Sequence, residues 1–109
     1  MTIEEIREKL EELDLQIIAA VGTARSMFIE ALNLAKEGKF EEAEAKVAEA
    51  DELFAQGHDA HHDILGLQGQ DIELPFDLML VHAEDQMMSA ECFRLVATEL
   101  IEIYKNKAR

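Results

Sequence analysis

Tryptophan is absent from this chain of 109 residues, proline and cysteine occur once each, and glycine occurs five times. A single cysteine excludes an internal disulfide framework, and a single proline leaves long stretches in which a helix meets no obligatory break. No segment alternates apolar and polar residues with period two over a useful length, and β-branched residues are sparse, which argues against a sheet. Basic residues are also few: 10 Lys and Arg stand against 24 Asp and Glu, a formal charge of −14. That balance disfavours nucleic acid and anionic membrane surfaces, and makes a basic or metal-bearing partner the better electrostatic match. Neither a basic-then-apolar leader nor an apolar run of about 18 residues is apparent, so a soluble, cytoplasmic protein without direct membrane insertion is expected.

What is present is helical periodicity. Thr2 and Glu5 form a capping-box pair, after which Ile3, Ile6, Leu10, Leu13, Ile17, Val21, Phe28, Ala31 and Ala35 recur at helical spacing. Gly38 suits a left-handed helix end. A second helix places Ala43, Val47, Ala50, Phe54, His58, His61 and Leu65 on one side, and Gly66 and Gly69 then break the pattern. Pro75 suits the first turn of a third helix. The expectation is a single all-α domain over 1–109: an antiparallel three-helix bundle with helices at about 3–37, 41–65 and 74–105. The third helix carries two apolar stripes. One holds Leu78, Val81, Asp85, Met88, Cys92 and Leu95; beside it run Met79, Ala83, Ala90, Phe93, Ala97, Leu100 and Tyr104. One intramolecular core is too thin to cover both, so a cyclic homo-oligomer is expected, with Cys92 an inert core thiol.

The chemistry concentrates in Val81-His82-Ala83-Glu84-Asp85-Gln86-Met87-Met88. His82, Asp85 and Gln86 lie three and four residues apart and share one helix flank. A histidine beside a carboxylate on a rigid element can accept a phosphoryl group, shuttle a proton or bind a metal. Asp85 falls on an apolar stripe, where an ionised carboxylate carries a desolvation penalty unless it is paired, hydrogen-bonded or metal-bound.

This stretch resembles the His-Ala-Gln-Asp-His-Leu-Met signature of the lactose/cellobiose-type enzyme IIA of the bacterial phosphoenolpyruvate-dependent sugar phosphotransferase system. Val21-Gly22-Thr23-Ala24-Arg25-Ser26 is similar to the family's Gly-x-Ala-Arg-Ser segment, and the run from Ala31-Leu32 to Gly38-Lys39-Phe40-Glu41-Glu42-Ala43 resembles its Ala-Leu…Gly-Asp-Phe-x-x-Ala turn. The resemblance implies a parallel homotrimer and a cytoplasmic phosphocarrier, a phosphotransferase component serving uptake of a β-linked disaccharide such as lactose, cellobiose or chitobiose. It implies that His82 takes phosphate from phospho-HPr and passes it to a cysteine of enzyme IIB, with membrane-embedded IIC engaged indirectly. His58 and Gln86 would support His82, and Asp85 would face the trimer axis as metal ligand. Oxygen-only donors there favour Mg²⁺, one per trimer.

Glu84 stands where the family usually has Gln, Gln86 where it has a second His, Met87 where it has Leu, and His61 and His62 where it has Gln and Thr. His58, His61 and His62 also have the i, i+3 and i, i+4 spacing of a weak Zn²⁺ or Ni²⁺ chelate. The rival reading is an acidic helical metal-binding or scaffold protein of the same fold without phosphoryl transfer, and a third is a helical interaction module.

Overall fold

The structure is a computed structural model that describes residues 1–70 and 72–108. Three long helices, α1 (Ile3–Lys36), α2 (Phe40–Gly69) and α3 (Leu78–Lys107), make a rod of 60 × 20 × 16 Å, with no strand among the described residues. The Thr2 hydroxyl accepts from the Glu5 amide at 3.1 Å and so caps α1. At the other end Gly38 adopts φ +82°, its N–H reaches the Ala35 carbonyl at 3.0 Å, and the Lys39 N–H reaches Leu34 at 2.9 Å. These paired bonds satisfy carbonyls that the helix leaves open and turn the chain back into α2.

The helix α1 is the spine, packing against both α2 and α3, which touch each other little. Its N-terminal half meets Ala60 and Ile64 of α2 and Ala83 and Ala90 of α3, while Phe28 meets Ala50 and Ala97. Thus α1 and α3 run in the same direction and α2 runs against both. Buried positions recur every seven residues: Ala43, Ala50, Gly57 and Ile64 on α2, and Ala83, Ala90 and Ala97 on α3. On α1 two such series interleave, Leu10, Ile17, Ala24 and Ala31 with Asp14, Val21, Phe28 and Ala35. Small residues on the outer helices let the larger side chains of α1 fill the space between backbones.

Several expectations change. Gly66 and Gly69 fall inside α2, which continues to Gly69. The third helix starts at Leu78, not near Leu74, because Asp77 takes the N-cap and Pro75 biases Leu74 toward extended backbone. On α2 the buried seam passes through Gly57 and Ile64, leaving His58 and Leu65 exposed. On α3 the inward stripe is that of Ala83, Ala90 and Ala97; Leu78, Val81, Met88 and Leu95 are exposed, and so is Cys92, which is not a core thiol of the protomer. Finally, one 18-residue window of α1 reaches a mean hydropathy of 1.3 and is apolar and long enough to cross a membrane. Ile17, Val21, Ala24 and Phe28 of that helix are fully buried within the protomer, as expected of a spine.

Gly57 is needed for close approach: a Cβ there would stand 2.6 Å from Val21 Cγ1 and 3.6 Å from the Ala20 methyl. Val21 is fully buried and β-branched, so it yields poorly. Gly57→Ala is expected to lower stability by about 1 kcal/mol, overpacking outweighing the gain in helix propensity. Gly66→Ala, with no atom within 4 Å of the added methyl, should raise stability by roughly 0.5–1 kcal/mol. Urea unfolding of both variants checks the contrast.

Candidate functional site

The Asp77 side chain caps α3 by accepting from the Met79 amide at 3.1 Å, and His82 follows in the second turn. His82 is therefore clear of the fraying end, and it is exposed, as is Asp85. Gln86 is half-buried. Two attachments hold the surrounding segment. From α2, His61 Nε2 lies 2.9 Å from Glu84 Oε2; from α1, Arg25 donates to the Ser89 hydroxyl at 3.1 Å and stacks over the Phe93 ring at 5.3 Å from its centroid. An imidazole thus projects from a fixed helical platform into solvent, with Glu84, Asp85 and Gln86 on the next turn.

The α2 histidines divide. His61 is the one that reaches α3, through Glu84, while His58 and His62 are exposed. No hydrogen bond joins His58 to His82 within one protomer among the described residues. Nor do three or more His, Cys, Asp or Glu side chains among them converge to hold a metal within one chain, which leaves the chelate spacing of His58, His61 and His62 without further ligands. Asp85, exposed, bears no desolvation penalty in an isolated protomer.

The buried carboxylate of this molecule is Asp14, which sequence reading passed over. It is completely buried, and neither of its oxygens has a hydrogen-bond donor in contact. Burial first, then the nearby Asp77 carboxyl, which can hydrogen-bond Asp14 only once one of the two is protonated and otherwise repels it, and then the charge of Glu84, push its pKa from 3.8 to about 7. A usable signal existed: Asp14 is four residues after Leu10 and three before Ile17, squarely on the α1 seam.

A family model described as "PTS system, Lactose/Cellobiose specific IIA subunit" matches residues 12–105. The chain belongs to the lactose/cellobiose-specific IIA family of the phosphotransferase system. It is 40% identical over 101 residues to the lactose-specific EIIA component of Streptococcus mutans, covering 91% of this chain and 95% of that one. It is 34% identical over 97 residues to the oligo-beta-mannoside-specific EIIA component of Bacillus subtilis, covering 89% and 88%. The crystal structure of the cellobiose-specific enzyme IIA from Bacillus anthracis superposes with a TM-score of 0.86 at 31% identity, covering 90% of each chain. This IIA protein is accordingly a phosphotransferase component with an all-helical, three-helix fold. Within it, Arg25 of the Ala-Arg-Ser segment ties α1 to α3 directly after the histidine signature, at Ser89 and at Phe93 one turn further, a structural role that the resemblance did not specify.

The His61–Glu84 pair is partly exposed, and a double-mutant cycle with His61→Ala and Glu84→Ala should give a coupling of about 0.5–1 kcal/mol at neutral pH. Zero coupling in thermal or urea unfolding would remove this pair as an attachment of α2 to α3.

Proposed function

We propose that this IIA protein is a cytoplasmic phosphocarrier in which His82 accepts a phosphoryl group from phospho-HPr and passes it to the cysteine of a IIB partner, for uptake and phosphorylation of a β-linked disaccharide. The observation that carries this reading is an accessible imidazole on a braced helix, at the histidine position of the family signature, in a chain whose family match extends over 12–105. In the first transfer an imidazole nitrogen of His82 attacks phosphorus, the new N–P bond forms, and the donor leaves with its electron pair. In the second, the IIB thiolate attacks the same phosphorus and His82 departs. The protein's task in both is orientation and charge placement. Gln86, one turn along, supplies an amide to the transferring group. His58, across the helix interface, supports His82 through orientation and electrostatics.

The neighbouring copies follow from the outer stripe of α3. Leu78, Val81, Met88 and Leu95 are 69%, 44%, 65% and 57% exposed and form an apolar line interrupted by Asp85. Covering it yields roughly 25 cal/mol per Å² of apolar area removed from water. Three copies meeting along this stripe would bring three Asp85 carboxylates together around one axis, where at an effective dielectric of about 20 their mutual repulsion reaches several kcal/mol. A single Asp85 cannot hold a cation; three hard oxygen donors suit Mg²⁺ with retained waters, which would supply the neutralising charge.

His82→Gln should abolish incorporation of phosphate from phosphoenolpyruvate in the presence of enzyme I and HPr, and the wild-type product should be acid-labile and alkali-stable, as a phosphoramidate is. His58→Ala should slow transfer without abolishing it. Wild-type incorporation by His82→Gln would overturn the assignment and favour an acidic scaffold without phosphoryl transfer.

Light scattering should give about three times the 12.3 kDa protomer mass. Chelation should lower the melting temperature of the wild type, and Asp85→Leu should abolish that sensitivity while preserving the trimer. A monomer at micromolar concentration would refute the shared axis.

A further inference from the structure

We propose that Asp14 and Asp77 form a carboxyl–carboxylate pair that shares one proton and latches the start of α3 to α1, so that losing the proton loosens the segment leading into His82. Both oxygens of Asp14 are sealed from solvent without a donor, and so is Oδ2 of Asp77, whereas Asp77 Oδ1 is engaged as the α3 cap. Two ionised carboxylates with sealed, facing oxygens would repel at low dielectric; one proton placed between them converts that repulsion into a strong hydrogen bond and satisfies an oxygen on each side.

The charged surroundings favour a proton over separation of charge. From α1, Arg7 and Glu11 stand at the rim of the adjoining groove of about 550 Å³; from α3, Glu84 adds negative charge; from α2, His61 is already engaged by Glu84. Among the described residues no third carboxylate, histidine or thiol joins Asp14 and Asp77 as a ligand set, so a divalent cation would find too few donors around the sealed oxygens. The raised value of about 7 for Asp14 agrees with a shared proton.

The direction of the pH effect follows. In the unfolded chain Asp14 ionises near its ordinary value of 3.8, while in the folded protein it keeps its proton to about 7. Between those values the unfolded state binds fewer protons, so the stability contributed by the latch is full below 3.8, is lost as pH rises through that window, and changes no further above it. The latch stands apart from the phosphoryl-transfer reading; only its consequence for His82 rests on it.

The test combines carbon-13 NMR of the aspartate carboxyls with thermal unfolding from pH 4 to 8.5. One carboxyl resonance should titrate near neutrality and vanish in Asp14→Asn. That variant keeps a donor toward Asp77 at every pH, so its melting temperature should fall less than that of the wild type as pH rises and should exceed it at pH 8. Asp77→Ser, which retains a helix cap, serves as the second variant and should lower the Asp14 midpoint. Parallel melting curves for wild type and Asp14→Asn, or no aspartate titrating above pH 6, would overturn the proposal. So would a rise in melting temperature with Mg²⁺ or Ca²⁺ at pH 8 that persists in Asp85→Leu and disappears when Asp14→Asn is added, since a cation would then hold the pair. If transfer from phospho-HPr proves absent while the NMR midpoint and its loss are observed, the latch stands and the phosphocarrier reading fails.

Discussion

Everything in this molecule hangs on the seam along α1, where large apolar side chains meet alanine and glycine presented every seventh residue by α2 and α3. Alanine has no side-chain entropy to lose and takes little room, so the outer helices can lie close to the spine without sacrificing helix propensity. The consequence is asymmetry. Helix α1 is covered on two sides, while α2 and α3 each keep an uncovered flank, and the candidate site residues His58, His82 and Asp85 sit on those flanks.

The same seam explains why two aspartates in comparable sequence settings behave so differently. Asp85 interrupts an apolar stripe that points outward, so the solvent that reaches Met88 at 65% exposure also reaches its carboxylate. Asp14 interrupts the series continued by Val21, Phe28 and Ala35, which points inward, and it bears its desolvation cost within the protomer itself. Asp77, which lines the same groove as Asp14, caps α3 through one oxygen and keeps the other sealed from solvent.

The departures of this chain from the family signature also acquire a spatial logic. Glu84 and His61, which stand where the resemblance has two glutamines, lie 2.9 Å apart and bridge α3 to α2. Two residues that are 23 apart along the chain thus form one contact between an imidazole and a carboxylate. Gln86, by contrast, engages no such partner within the protomer among the described residues.

By itself the amino-acid sequence determined the helical class, the Thr2 cap, the Gly38 turn and the family, because these depend on local backbone chemistry and short-range spacing. A hydroxyl three residues before a glutamate, or a glycine after a last helical turn, acts within a few ångströms of its own position. The sequence also placed His82 on a helix flank, which needs only the 3.6-residue period. It did not say which of two apolar stripes on α3 turns inward, whether Gly57 or His58 meets the spine, or that Cys92 lies outside and Asp14 inside. Those outcomes depend on how closely two helices can approach, which is settled by the side chain opposite: Val21 leaves room for a hydrogen at position 57, and the alanines of α3 fit α1 where Val81, Met88 and Leu95 would hold it away.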